Sequence, residues 1–282
     1  MTFVTRFAPS PTGYLHVGHA YSATLAWNKA LESGGRFLLR MEDIDAIRCH
    51  PEFEAAIYED LKWLGLDWEM PVRRQSEHME DYAAILERLH EQGLLYPCFC
   101  TRKEIAAEIA RSNSAPHGPE GPVYPGTCRH LTDQQRDVNF EDGKPYALRL
   151  DMAAALARVD VSQLFFEELE KGFIQCDPAV FGDAVLARKD TPVSYHLAVT
   201  LDDALQGVNL VVRGQDLFNA THLHRLLQHL LALPTPKYLH HGLVSDMKGR
   251  RLAKRDKAAT VRDIRANGYT PDDVRKLIGF KV

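Results

Sequence analysis

Three things are scarce in this 282-residue chain, and each scarcity removes a class of protein. No apolar run approaches the ~18 residues a membrane helix needs, and the opening MTFVTRFAPSPTG interrupts any signal-like apolar core with an arginine and prolines. A cytoplasmic protein is expected. The five cysteines, Cys49, Cys98, Cys100, Cys128 and Cys176, are odd in number and unevenly spaced, which argues against a disulfide framework. Basic charge is not in excess: 34 Lys and Arg stand against 38 Asp and Glu, a net charge of -4, so any nucleic-acid contact must be a local basic face. What remains, 45% hydrophobic and 26% charged without internal repeats, suits one large globular domain or two smaller ones.

The pattern along the chain is that of alternating strands and helices. Residues 3–7 form a short apolar strand candidate, followed by a stretch whose two prolines and glycine forbid regular structure. From Val17 the apolar residues Ala20, Tyr21, Leu25 and Leu31 recur at helical spacing until Gly34 and Gly35 stop them. Residues 35–41 (GRFLLRM) read as a second buried strand, which a helical crossover should pair in parallel with the first. Helical patterns follow at 52–64 and 77–92. At Pro97 the character changes to a Cys-x-Cys pair, a capping box of Thr101 and Glu104, and a Pro/Gly/Ser-rich stretch over 112–126. Strand-like runs at 146–150 and 184–187 belong to this insert, and residues 208–213 (VNLVVR) with a helix over 217–233 return to the core. The division expected is 1–96 and 191–245 for the two halves of a Rossmann-type parallel α/β domain, 97–190 for the insert, and 246–282 for a basic loop and short helical segment.

Residues 9–19 read PSPTGYLHVGH, placing His16 and His19 around Gly18 where a loop meets a helix. Backbone N–H groups and the helix dipole favour an anion there, Gly18 permits close approach, and imidazoles can donate to phosphate oxygens. A lone histidine more often caps or packs a helix; two around a glycine after such a loop point to nucleotide phosphates. Farther on, Lys248, Arg250, Arg251, Lys254, Arg255 and Lys257 crowd into ten residues, opposed there only by Asp256. Most such runs are solvated surface, but on a mobile loop Lys254 and Arg255 suit a departing pyrophosphate.

These residues resemble a known family. The PSPTG…HVGH string is similar to the HIGH signature of class I aminoacyl-tRNA synthetases in its glutamyl and glutaminyl form, and the likeness extends to RMEDID at 40–45, WLGLDW at 63–68, SYHLA at 194–198 and VRGQD at 212–216. Residues 251–255 (RLAKR) resemble the KMSKS loop, departing from it at Arg251 and Ala253. The resemblance implies a parallel sheet that binds ATP with Mg2+, attack by an amino acid carboxylate on the α-phosphate, and release of pyrophosphate. It implies His16, Gly18, His19, Lys254 and Arg255 at the nucleotide, with His16, His19 and Lys254 as catalytic groups. It further implies a glutamate pocket built from Arg6, Phe7, Ala8, Pro9, Ser10, Glu42, Tyr195 and Arg213. Two arginines and one carboxylate match the two carboxylates and one ammonium of glutamate, and a guanidinium prefers a carboxylate to an amide, which favours glutamate over glutamine.

Cys98, Cys100 and Cys128 supply three thiolates, and Pro125 and Gly126 let the chain fold back as a knuckle, a pattern for structural Zn2+. By residue chemistry His117 or His130 could be the fourth ligand as well as Tyr124; the resemblance selects Tyr124, which similar short glutamyl-queuosine enzymes carry at this place. Only about 25 residues follow the basic segment, too few for an anticodon-binding domain. The expectation is therefore a monomer of the short branch, which attaches glutamate to queuosine in the anticodon loop of tRNA(Asp). A glutamyl-tRNA synthetase catalytic core and an inactive tRNA-binding paralogue are the alternatives.

Overall fold

The computed structural model describes residues 1–111, 117–242 and 259–280. Its first unit is β1 (Val4–Phe7), α1 (Val17–Glu32) and β2 (Arg36–Met41), with β1 and β2 parallel and Val4 opposite Arg36. The crossover closes tightly because Gly35 has no side chain: a Cβ there would sit 1.9 Å from the carbonyl oxygen of Phe3. After α2 (Pro51–Trp63), β3 (Glu69–Arg74) adds in parallel to β2. The chain then runs through α3 (Met79–Glu91) and β4 (Leu95–Cys98) to α4 (Arg102–Arg111), which opens on the expected capping box, Thr101 Oγ1 accepting from Glu104 N at 3.2 Å and Glu104 from Thr101 N at 2.6 Å.

The middle of the chain holds β5 (His117–Gly118), β6 (Gly121–Pro122), α5 (Asp133–Glu141), β7 (Ala147–Leu150), α6 (Met152–Leu156), β8 (Phe165–Glu168), β9 (Gly172–Gln175) and β10 (Val185–Ala187). The strands β4, β7 and β10 make a separate antiparallel sheet with β7 in the centre. Then come α7 (Tyr195–Leu205), β11 (Leu210–Gly214), α8 (Ala220–Leu230) and β12 (Lys237–His241), followed by α9 (Val261–Ala266) and α10 (Pro271–Leu277). β11 and β12 are parallel, and β8 joins β12 in parallel at Glu168 and Tyr238. Residues 165–168 fall within the span expected to be insert, yet they extend the sheet of the second half.

Asn209 joins the β1–β3 sheet to the sheet of β11, β12, β8 and the antiparallel β9: its N–H donates to Val4 O at 3.1 Å and its Oδ1 accepts from Val4 N at 2.8 Å. Strand alternation then sorts the side chains. Phe7, Phe37, Leu39, Met41, Leu210, Val212 and Leu239 face one core together with α1, α2, α9 and α10 residues, whereas Leu38, Val211 and Tyr238 face the other with α3, α7 and α8. No helix among the described residues is long and apolar enough to cross a membrane.

Candidate active site

The same alternation assembles the charged groups. Arg6, Arg40, Arg213 and His240 lie at the C-terminal ends of β1, β2, β11 and β12, on the face shared with Leu38, Val211 and Tyr238. Ligands of open α/β sheets bind at that end of the strands. Arg40 has 0% exposure and is held by Asp203 (Nη1 to Oδ1 2.8 Å) and Glu42 (Nη2 to Oε1 3.1 Å), with Asp202 3.8 Å from Nε. Arg6 shares Asp203, its Nε donating at 2.9 Å, and its Nη1 donates to Val212 O at 3.2 Å. Burial works to raise the Asp203 carboxyl, but Arg6 and Arg40 outweigh it and hold the group below the usual carboxylate range. At Glu42 burial wins over Arg40 and Arg6, and its pKa is raised.

Arg213 donates from Nε to His240 Nε2 (3.1 Å), from Nη1 to His224 Nδ1 (3.3 Å) and from Nη2 to Thr221 Oγ1 (2.7 Å). A guanidinium has five N–H groups, so these three leave two, the number a bidentate carboxylate accepts. Tyr195 opens α7 behind the Ser194 cap, half-buried; burial raises its hydroxyl pKa, and Arg213, Glu42 and Arg6 are all near enough to act on it. Ser10, Glu42 and Tyr195 line one cleft of about 110 Å³ with Thr12, Gln75 and Arg188. Ser10 is fixed by donating from Oγ to Glu42 O at 2.7 Å, and Pro9 O accepts from Glu42 N at 3.0 Å. Ala8 and Pro9 follow directly on β1. Phe7 is different: its ring packs in the core on the opposite face, so only its backbone is turned toward this end of the strand.

His16 is the N-cap of α1, with Nδ1 accepting from Gly18 N at 3.1 Å, while His19 Nδ1 accepts from His16 N at 3.3 Å. The two rings stack at 3.8 Å between centroids. Gly18 makes this possible, since a Cβ there would come 3.0 Å from His16 Cε1. With both Nδ1 atoms accepting, neutral rings carry their proton on Nε2, the donor position. No acidic side chain occupies the first turn of α1, so the dipole there retains its preference for an anion. Lys254 and Arg255, expected at the same nucleotide, lie outside the described residues.

A second cluster forms where β4 meets the turn before α5. The sulfur atoms of Cys98, Cys100 and Cys128 all lie within 4.8 Å of one another. The Tyr124 hydroxyl is 3.4 Å from Cys98 Sγ and 3.5 Å from Cys100 Sγ, and accepts from Cys128 N at 2.9 Å. Cys100 Sγ lies 3.3 Å from Cys128 Sγ, and the mutual interaction of Cys98 and Cys128 lowers the Cys128 thiol and raises the Cys98 thiol. Three convergent soft thiol ligands with one oxygen, Cys98, Cys128 and Tyr124 buried and Cys100 half-buried, fit a tetrahedral structural metal. His130 is exposed and outside this group, and the Tyr124 hydroxyl is the oxygen that lies beside the thiols.

Sequence reasoning missed Asp203, His240, His224 and Thr221, and treated Arg40 only as part of a motif. The available signal was a charge within the apolar runs RFLLRM and LVVRG, since a buried arginine demands partners.

A parallel α/β sheet with a histidine-capped helix start and buried charged groups at its strand ends has the architecture of class I synthetases. The chain belongs to the family of class I tRNA synthetases (E and Q), catalytic domain, which matches residues 2–280, and it is a ligase. It is 49% identical to a glutamyl-Q tRNA(Asp) synthetase of Rhodobacter capsulatus, over 98% of this chain and 100% of that protein. It is 43% identical to a glutamyl-Q tRNA(Asp) synthetase of Symbiobacterium thermophilum, over 95% of this chain and 83% of that one. Among solved structures, a glutamate tRNA ligase from Elizabethkingia meningosepticum in complex with its amino acid superposes with a TM-score of 0.79 at 26% identity, covering 96% of this chain. The chain spans 59% of that larger protein.

Proposed function

We propose that the enzyme activates L-glutamate with ATP as glutamyl-adenylate and transfers the glutamyl group to queuosine in the anticodon loop of tRNA(Asp). The observation that carries this reading is the convergence of Arg6, Arg213, Glu42 and Tyr195 on one face of the sheet, adjoining the start of α1. Arg6 and Arg213 pair with the two carboxylates of glutamate, Arg6 with the side-chain one. Glu42 faces the ammonium, and Ala8, Pro9, Ser10 and the backbone of Phe7 border the pocket. His16 and His19 donate to the phosphates over Gly18, and Lys254 and Arg255 balance charge on pyrophosphate as it leaves. Magnesium accompanies ATP and offsets phosphate charge.

The amino acid carboxylate oxygen bonds to the α-phosphorus as the bond to the β-phosphate oxygen breaks. A queuosine hydroxyl then attacks the activated carbonyl and releases AMP. Both steps need positioning and charge stabilisation more than a covalent enzyme nucleophile. Cys98, Cys100, Cys128 and Tyr124 would hold a structural zinc that braces the span 97–190, and this span with the 248–257 cations holds the stem-loop through phosphates. The relatives named for glutamyl-Q tRNA(Asp) support this acceptor.

The test supplies ATP, labelled glutamate and tRNA from cells with and without queuosine. Label should appear only on the queuosine-containing pool. Equal labelling of both pools would refute the acceptor, and no glutamate-dependent exchange of pyrophosphate into ATP would refute the activity.

A further inference from the structure

Arg213 sits at the junction of two hydrogen-bonded chains whose direction the guanidinium dictates. Arginine only donates, so His240 Nε2 and His224 Nδ1 must both accept from it. His240 therefore carries its proton on Nδ1 and donates to Glu168 Oε2 at 2.6 Å, while Glu168 Oε1 also accepts from His240 N at 3.0 Å. A protonated His240 paired ionically with Glu168 would set an Nε2–H against the Arg213 Nε–H at 3.1 Å, so the neutral ring is the consistent state. Burial, then the charge of Arg213, holds His240 down at about 2 and His224 well below its ordinary value.

The second chain is longer. His224, accepting at Nδ1, donates from Nε2 to His196 Nδ1 at 3.0 Å, and His196 then donates from Nε2 to Glu120 Oε1 at 2.8 Å. Glu120 lies on the turn between β5 and β6, its side chain 65% exposed. It also lines a cavity of about 210 Å³ with His196, Arg149, Asp183 and Tyr124. One arm thus ends in the sheet at β8, the other in the span carrying the cysteine cluster.

We infer that Glu168–His240 and Glu120–His196–His224 are positioning arms that hold the Arg213 guanidinium in one orientation and leave two of its N–H groups aimed at a substrate carboxylate. Glu120 thereby becomes a determinant of amino acid affinity although it belongs to a different substructure. The inference rests on the reading that Arg213 receives a carboxylate of glutamate. It assigns a use to five side chains that the reaction itself does not touch.

The decisive variants are at Glu120, whose side chain is largely exposed and fills no core position. In glutamate-dependent pyrophosphate exchange, Glu120→Ala should raise KM for glutamate about threefold to tenfold, because the buried His196 Nε2–H loses its acceptor, with kcat and KM for ATP unchanged. Glu120→Gln, whose amide oxygen still accepts from His196, should restore most of the affinity. His240→Phe should raise the same KM further. An unaltered KM in Glu120→Ala, or equal defects in the Ala and Gln variants, would overturn the arms. Arg213→Ala separates the two levels: if it loses glutamate affinity while Glu120→Ala does not, the carboxylate reading stands and the positioning inference falls. If Arg213→Ala binds glutamate normally, the reading beneath the inference fails.

Discussion

A guanidinium with no exposure, as at Arg40, persists only because Asp203 and Glu42 bond it and Asp202 lies close by, since an uncompensated buried charge costs several kcal/mol. Asp203 is thereby shared between Arg40 and Arg6, and this sharing fixes the Arg6 plane before any substrate arrives. Arg6→Ala should raise KM for glutamate at least ~100-fold in pyrophosphate exchange, because a bidentate charged pair is lost and Asp203 loses a partner. Normal saturation with glutamate would count against the pocket. A different residue governs stability. Asp60 on α2 is buried, with no hydrogen-bond partner for Oδ2 among the described residues, and burial followed by Glu59 pushes its carboxyl up from 3.8 to about 6. The folded state thus binds this proton more tightly than the unfolded one. Its destabilising effect is absent below pH ~4, grows as pH rises to about 6, and is complete above that. Asp60→Asn should accordingly gain about 1–3 kcal/mol over the parent at pH 8, a gain that shrinks toward pH 4. Chemical denaturation at the two pH values would detect it, and a pH-independent difference would exclude Asp60 as the cause.

Among the elements, α1 and the cysteine knuckle show how local rules set up chemistry. The α1 start uses a histidine as N-cap and another at N3, so the cap that satisfies the first turn also aligns the two rings. The knuckle needs β4 to bring Cys98 next to the turn at Gly126, where the backbone is left-handed at φ 85°. Cys98→Ser should abolish stoichiometric zinc and lower the melting temperature, and metal analysis reads this directly. Tyr124→Phe distinguishes the fourth ligand: zinc affinity should fall if the phenol binds the metal and persist if a histidine does. Helix and strand identities were legible where periodicity was strong: residues expected to be helical from Val17 form α1, and RFLLRM forms β2 in parallel with β1. The position of β8 was not legible, because its four residues FFEE gain their parallel partner from β12, about seventy residues later, and nothing local marks that pairing.

At the scale of the molecule, a net charge of -4 means that the proposed tRNA partner needs a local basic field, and we propose the cations between 248 and 257 as its source. Binding of tRNA should weaken linearly on a log–log plot against salt, each neutralised phosphate contributing about -0.7 to -0.9 to the slope. Arg250→Ala should flatten that slope by about one such increment while leaving glutamate activation intact; an unchanged slope would move the contact elsewhere. The sequence by itself determined the opening strand–helix–strand unit, the loop that places His16 and His19 around Gly18, and the presence of arginines in apolar strands, because propensity, turn chemistry and periodicity are local. The tertiary structure alone decided which groups meet. Arg40 and Asp203 are 163 residues apart, Arg6 and Val212 are 206 apart, and Glu120 reaches His196 across 76. Such contacts arise where strand ends, α7 and the turn between β5 and β6 pack together in the folded chain, a juxtaposition that no local pattern encodes.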